Sequence, residues 1–388
     1  MVSAGGMEYG PVQPEEVQPL WALLDQALNI SLVPGWNDHV GPDRFRVLRR
    51  GGKLAGGMGI VPMGQWFGGS SVPTGAVTSV GIAPEFRGAG AASMLMKSSL
   101  DEIHEEGWPL STLFPSTLNF YRHAGYERAG VKVVYEMPTT AIDVGSRELD
   151  IVEVDDSSHE DIYITYNARA QSTSGNLDRP PVLWEPILGF GGRQVYSYLI
   201  TGPDGPEGYV IFQQSRSAAH IRVRDVALLT QNAALKLLRF FADHRSTIDS
   251  ISWNGAPNDL MVHALGEQEA KMTKSRDWVM RIVDVEGALA ARGYPAGYEG
   301  ELHIRVEDNL LPWNTGDYVL EVAFGRGKVR RGGRGDLRTG VRGLAALYSG
   351  HVAPVELRAM GAMDGDDATI AAATLMFASP SPWMSDQF

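Results

Sequence analysis

A mixed α/β chain of the α+β class, organised as three consecutive units, is predicted by three observations. Residues 77–137 alternate strand, helix, strand, helix and strand around a glycine-rich turn. Residues 196–284 run through a similar order without the glycines. From about Val285 the pattern changes to short strands around Asn-Thr-Gly and Gly-Arg-Gly turns, followed by Ala- and Leu-rich helices, a small α+β unit of its own. The expected boundaries are 1–140, 141–284 and 285–388, and 388 residues suffice for two or three domains.

The first unit opens with an expected strand at 8–13 and a helix at 14–29, in which Val17, Leu20, Trp21, Leu24 and Leu28 form one apolar face. Residues 31–44 carry Pro34, Gly35, Trp36, Asn37 and Pro42 and read as a loop. Such a loop either roofs a substrate site with Trp36 as an aromatic wall or buries Trp36 in the core. Strands are expected at 45–49, 54–63, 65–68 and 71–80. The strand ending at Ala83 meets Pro84 and turns through Arg87-Gly88-Ala89-Gly90-Ala91-Ala92 into a helix with Ala92, Leu95, Met96, Leu100 and Ile103 on one face. Gly107 and Pro109 end it, and strands follow at 110–114 and 126–137. In the second unit, Pro180-Pro181 and glycines at 189–192 precede a hairpin (196–201 and 207–213), a strand at 220–228, a helix capped by Thr230, a strand at 248–253, a short helix after Asn258 and a strand at 277–284. The third unit has expected strands at 301–307, 317–324 and 328–331 and helices at 342–348, 355–360 and 368–377.

Composition narrows the function. With 44% hydrophobic and 21% charged residues the chain reads as an ordinary globular protein. A net charge of -12 argues against nucleic acid or an anionic membrane as partner and favours a cationic substrate such as an amine. There is no cysteine, which excludes disulfides, thiolate metal sites and a Cys nucleophile. No secretory signal or membrane-spanning run is visible, so a cytoplasmic location is expected. The 9 histidines lack metal-ligand spacing, Asp364-Gly365-Asp366-Asp367 lacks the glutamate of a calcium loop, and no Gly-x-Ser-x-Gly elbow occurs; no metal is expected. Arg326, Lys328, Arg330, Arg331 and Arg334 form too short a run, in too acidic a chain, to read as an RNA-binding tract.

The turn after Ala83 carries the chemistry. Small residues let a ligand approach the backbone, and free amides at a helix start favour a phosphate. A P-loop is excluded because Ala-Ala follows Gly90. A dinucleotide fingerprint fits poorly, since Ser93 takes the third small position and no acidic residue ends the next strand. Arg87, Gly90 and Ala92 match the Arg-x-x-Gly-x-Gly/Ala turn of the acetyl-CoA-dependent GNAT N-acetyltransferases, and Phe120-Tyr121 with Gly125-Tyr126 resembles the signature that closes their core. That resemblance gives Tyr121 the part of general acid beside the thioester sulfur, while Tyr126 packs.

The whole chain resembles one branch, the enhanced intracellular survival (Eis) acetyltransferases. The resemblance rests on residues 80–84, the 87–92 turn, Phe120-Tyr121 with Gly125-Tyr126, residues 278–285, the segment Ala288-Leu289-Ala290-Ala291-Arg292-Gly293-Tyr294, and Phe388. It implies two tandem GNAT-type domains, a sterol-carrier-like C-terminal domain, and a homo-hexamer using acetyl-CoA; in the second domain Leu228-Leu229-Thr230-Gln231-Asn232-Ala233 has no glycine and no Arg, so no cofactor site is expected there. The implied acceptors are amines, including aminoglycosides, polyamines and lysine side chains of peptides. Ser79, Val80 and Ile82 would contact the acetyl and pantetheine portion, with the Val80 amide on the acetyl oxygen; Arg87, Gly88, Gly90 and Ala91 would hold the pyrophosphate, with Ser116 nearby. The α-carboxylate of Phe388 would act as base. An acidic residue expected after the first helix is replaced by Leu28-Asn29-Ile30, so Asp25, Asp38 or Asp386 would have to receive the substrate's amines. The alternatives are a lipid or sterol carrier on a non-catalytic scaffold, or a longer-chain acyl or aminoacyl transferase.

Overall fold

The computed structural model describes residues 2–4, 6–28, 35–155, 159–189 and 194–388. The expectations for residues 29–34 and 190–192 lie outside the described residues. The first two units share one continuous sheet of 14 strands. Its first-unit half runs Val2–Ala4, Met7–Pro11, Phe45–Arg50, Lys53–Phe67, Ser70–Ile82 and Leu110–Leu113. The sheet then interleaves the units. Lys271–Ile282 lies antiparallel between Leu110–Leu113 and Glu127–Pro138, and Glu127–Pro138 pairs in turn with Ser250–Gly255. His220–Leu228, Gly205–Ser215, Tyr196–Gly202 and Asp150–Glu153 continue it, and Leu177–Asp178, paired with Lys53–Phe67, completes it.

Helices Val17–Leu28 and Ala91–Glu105 bury the apolar faces read from their spacing, including Leu20, Trp21 and Leu24 on the first and Leu95, Met96, Leu100 and Ile103 on the second. Four local readings are corrected. Segments 54–63 and 65–68 form one 15-residue strand, Lys53–Phe67. Gly64 is not a break but a close approach: a Cβ there would meet Asp178 Cβ at 2.7 Å, where the short strand Leu177–Asp178 pairs. The loop read at 31–44 contains a helix, Trp36–Val40. Helices Glu160–Gln171 and Pro181–Ile187 went unread, the second because Pro186 lies inside it. The strand expected from Asp277 starts at Lys271, because its exposed first half carries no apolar alternation and is held chiefly by backbone pairing.

The third unit is a five-stranded sheet ordered Arg326–Arg331, Gly316–Ala323, Gly300–Glu307, Leu337–Gly340 and Met363–Asp364. Its helix Val341–Ser349 packs on Glu127–Pro138 and Lys271–Ile282, and one apolar core runs from Leu20 through Trp278 to Tyr348 and Met384. The buried pair Arg281 and Asp308, 2.6 Å apart, locks this unit to the shared sheet. Three of the arginines at 326–334 are engaged locally: Arg330 faces Glu301 and Glu321, Arg331 faces Glu286 and the Tyr318 ring, and Arg334 pairs with Asp336.

Candidate active site

Parallel pairing of Ser70–Ile82 with Leu110–Leu113 runs only from Thr74 and Leu110 to Ala76 and Thr112. Beyond it, residues 77–80 and 113–116 line opposite walls of one cavity of about 860 Å³. On the other edge, register with Lys53–Phe67 shifts so that Gly59 faces Thr78 while Gly57 faces Gly81. Ser79 and Val80 therefore share Met58 as their opposite residue, a β-bulge. Ser79 takes φ +51, the left-handed region that a non-glycine residue rarely adopts, and its hydroxyl donates to Asn37 Oδ1 at 3.0 Å.

The turn forms a second cavity of about 330 Å³, lined by Ile82, Phe86, Arg87, Gly88, Gly90 and the helix start at residues 91–93, with Phe120. Gly88 and Gly90 have φ +75 and +81, and a Cβ on either would meet nothing within 4 Å. They are glycines for backbone conformation, and the space above them is open to a ligand. Arg87 is exposed and bonds the backbone oxygens of Ile82 (3.3 Å) and Ala27 (3.5 Å). The two cavities share no lining residue but are lined by near neighbours in sequence: Val80 and Tyr121 line the large one, Ile82 and Phe120 the small one.

Tyr121 is buried in edge contact with Phe120 and Tyr126, and among the described residues nothing hydrogen-bonds its hydroxyl. Burial pushes its pKa up to about 12, so the phenol keeps its proton at neutral pH. Tyr126 is fully buried against Ser111 Oγ at 2.8 Å and stays outside the cavity lining.

The C-terminal segment completes the large cavity. Trp383 bridges Val131 in parallel, with Val131 N–H donating to Pro382 O and Met384 N–H to Val131 O, and Ser385, Asp386, Gln387 and Phe388 then line the cavity. Phe388 lies 5.9 Å from the Phe114 ring. Asp386 accepts from Arg179 Nε at 2.7 Å, and Arg179 also makes a bidentate pair with Asp225 at 2.6 and 2.9 Å. Burial raises the Asp386 carboxyl above its ordinary range; at Asp225 burial pulls the same way, but the facing guanidinium outweighs it and holds that carboxyl below.

Sequence reasoning named Trp36, Ser79, Val80, Ser116, Tyr121, Asp386 and Phe388, and all seven line the large cavity; Ile82, Arg87, Gly88, Gly90 and Ala91 line the small one. Trp36 is both wall and core: it is buried and donates to Thr78 Oγ1 at 3.3 Å. Asp25 is exposed and Asp38 accepts from Trp21 Nε1 at 2.7 Å; neither lines the cavity. Sequence reasoning missed Lys132, Arg179, Arg222, Arg224, Asp225 and Arg276. All but Lys132 come from the second unit, and charges in its strands carried no local signal for a site in the first. The cationic acceptor expected from net charge meets a cavity lined by five basic side chains.

The corresponding helix start of the second unit is already engaged by its own side chains. Thr230 caps helix Gln231–Ala242 by accepting from Ala233 N–H and donates its own hydroxyl to Glu207, so an acid already occupies the place of an anion. Titration calorimetry with acetyl-CoA is expected to give one site per chain; two equivalent sites would contradict this.

Among the described residues no group of His, Asp and Glu gathers into a metal site, and no helix is long and apolar enough to cross a membrane. Strands that part at a bulge beside a small-residue turn opening a helix define an N-acetyltransferase of the coenzyme A-binding type. Residues 8–129 and 175–282 each match the acetyltransferase (GNAT) domain, and residues 285–385 match the sterol carrier protein domain. The chain is similar to a GCN5-related N-acetyltransferase from Anabaena variabilis, at TM-score 0.94 and 39% identity over 98% of this chain and 100% of that one. It is also similar to Eis1 from Mycobacterium abscessus, at TM-score 0.81 and 26% identity over 98% and 100% of the two chains. An uncharacterised N-acetyltransferase of Streptomyces avermitilis is 27% identical over 345 residues, 83% of each chain. The chain belongs to the GCN5-related N-acetyltransferases, in their Eis-like branch.

Proposed function

We propose that this protein moves an acetyl group from acetyl-CoA to a primary amine by direct attack, where the large cavity shared by its units adjoins the small cavity of the first unit. The observation that carries this reading is that the Ser79-Val80 bulge and Tyr121 line the large cavity while their near neighbours Ile82 and Phe120 line the cavity of the phosphate-type turn. Arg87, Gly88, Gly90 and Ala91 would hold the pyrophosphate; Ser79, Val80, Ile82 and Ser116 would hold the acetyl and pantetheine end. The open space above Gly88 and Gly90 fits that assignment. Bound there, acetyl-CoA supplies an activated thioester.

The amine must lose a proton. An exposed lysine-type amine has a pKa near about 10.4, so the free base at pH 7 costs about 4.6 kcal/mol. The carboxylate at Phe388 is the proposed acceptor of that proton, directly or through a water. The Val80 N–H then stabilises the oxyanion as the C–N bond forms. As the C–S bond breaks, Tyr121 faces the departing thiolate. Its phenol, at about 12, is a weaker acid than a thiol of about 8.5. Tyr121 therefore stabilises the sulfur by donating a hydrogen bond and keeps its proton; as the intermediate collapses the acylated nitrogen gives its second proton to solvent, and solvent protonates the thiolate.

Thiol release from acetyl-CoA, compared with longer acyl-CoAs across a panel of amines, tests the function; no amine-dependent release, or a preference for long acyl chains, overturns it. Arg87→Ala is expected to raise the acetyl-CoA KM about tenfold with little change in kcat, because a phosphate contact is the same in ground and transition states. Adding several residues after Phe388 is expected to lower kcat about a hundredfold with acetyl-CoA affinity retained. Undiminished turnover would remove that carboxylate from the mechanism. A homo-hexamer in the cytoplasm belongs to the same proposal, and light scattering of the purified protein checks the assembly.

A further inference from the structure

The large cavity brings together cations that make no ion pair among the described residues. Lys132 and Arg276 are direct cross-strand partners on Glu127–Pro138 and Lys271–Ile282, and both line the cavity. Like charges facing each other across a ladder destabilise it. Arg222, from His220–Leu228, lines the same cavity. Among the described residues, none of these three makes an ion pair with a carboxylate, residue 388 included. Lys132 Nζ reaches only the backbone oxygen of Asp386, at 3.3 Å, and the Arg276 guanidinium lies 5.5 Å from the Phe114 ring.

The cavity's two aspartates do not balance them. Asp225 is spent on Arg179, and so is one oxygen of Asp386; the other, Oδ2, is buried without a partner, on a carboxyl that burial makes easier to protonate. Burial, then the neighbouring Arg222 and Arg276, push Lys132 down to about 8 against the pull of Asp386, which still leaves it mostly charged at neutral pH. The anionic part of acetyl-CoA is no explanation, because the turn assigned to its pyrophosphate belongs to the other cavity.

We infer that the acceptor is a primary amine that also carries an anionic group, a carboxylate or phosphate, held by Lys132 and Arg276 with Arg222 beside them. This rests on the acetyl-transfer reading above. The anion would anchor the acceptor on the strands of the shared sheet, with its amine toward Val80 and Tyr121. It reverses the charge expected from overall composition: the net charge of -12 is a sum over the whole chain, whereas the acceptor meets the local cluster.

Matched pairs test it: ω-amino acids of increasing length against their amides, and phosphoethanolamine against ethanolamine, with a polyamine as the cationic arm. At least one charged member is expected to exceed its neutral partner in kcat/KM by about tenfold or more. In Lys132→Gln/Arg276→Gln that ratio is expected to fall toward one, and Arg276→Lys is expected to restore part of it. Acetyl-CoA titration checks that the variant is folded. Which pair shows the larger ratio separates carboxylate from phosphate. Equal use of both members, preference for the polyamine, or a ratio unmoved in the double variant would overturn the inference. A second readout does not depend on turnover: millimolar glutarate or phosphate is expected to raise the melting temperature of the native protein by about 2 °C or more and not that of the double variant. If no amine releases thiol, the acetyl-transfer reading fails, while an absent melting shift overturns the anion site itself.

Discussion

Tyr121→Phe is expected to lower kcat about a hundredfold while the acetyl-CoA KM stays within about twofold. The hydroxyl lines the cavity with no protein partner among the described residues, so it makes its proposed bond only when negative charge appears on sulfur. Removing one donor aimed at developing charge has effects of about this size. The deficit is expected to be constant between pH 6 and 9, because a phenol raised to about 12 remains a donor throughout. A deficit that vanished with rising pH would instead indicate full proton transfer, and unchanged kcat would remove Tyr121 from the chemistry. Tyr126→Phe is the control. Its hydroxyl meets Ser111 behind the cavity, so about 1 kcal/mol of stability is expected to go while turnover remains nearly intact.

Arg179→Met is expected to destabilise the protein by about 3–5 kcal/mol and to lower turnover further than the melting temperature alone explains. The Arg179 side chain is 1% exposed, lies over the Tyr166 and Trp184 rings, and bonds Asp225, Asp386 and Ser385 at once. Its loss leaves two buried carboxylates facing each other and frees residues 385–388 from the cavity wall. Adding Asp225→Leu and Asp386→Leu removes both stranded charges and is expected to recover much of the stability without recovering turnover. A single variant that melts and turns over like the native protein would refute this. The acid limb has a definite sign at Asp225: its carboxyl is held below its unfolded value, so its stabilisation is complete above about pH 4 and fades as pH falls through the lower folded value. Asp386, raised in the fold, opposes that trend. In Arg179→Met the Asp225 contribution is expected to disappear.

The legible part of this protein was local. Arg87 to Ala92 form a turn because glycine is needed at two left-handed positions and the helix must start at once, and both requirements are written within six neighbouring residues. The apolar spacing of Ala91–Glu105 and the Phe120-Tyr121 signature are equally local, which is why the class, the branch and the three-part fold could be read before any coordinate. Pairing across the sheet was not legible. Lys132 and Arg276 are 144 residues apart in sequence (276 − 132) and become neighbours only because Lys271–Ile282 inserts beside Glu127–Pro138. Arg179 and Asp386 meet only because Trp383 docks beside Val131 and carries the chain end under the second unit. Spacing along the chain determined the family and the turn; the charge of the acceptor cavity was decided by tertiary structure, because strand order sets which distant side chains share one low-dielectric space.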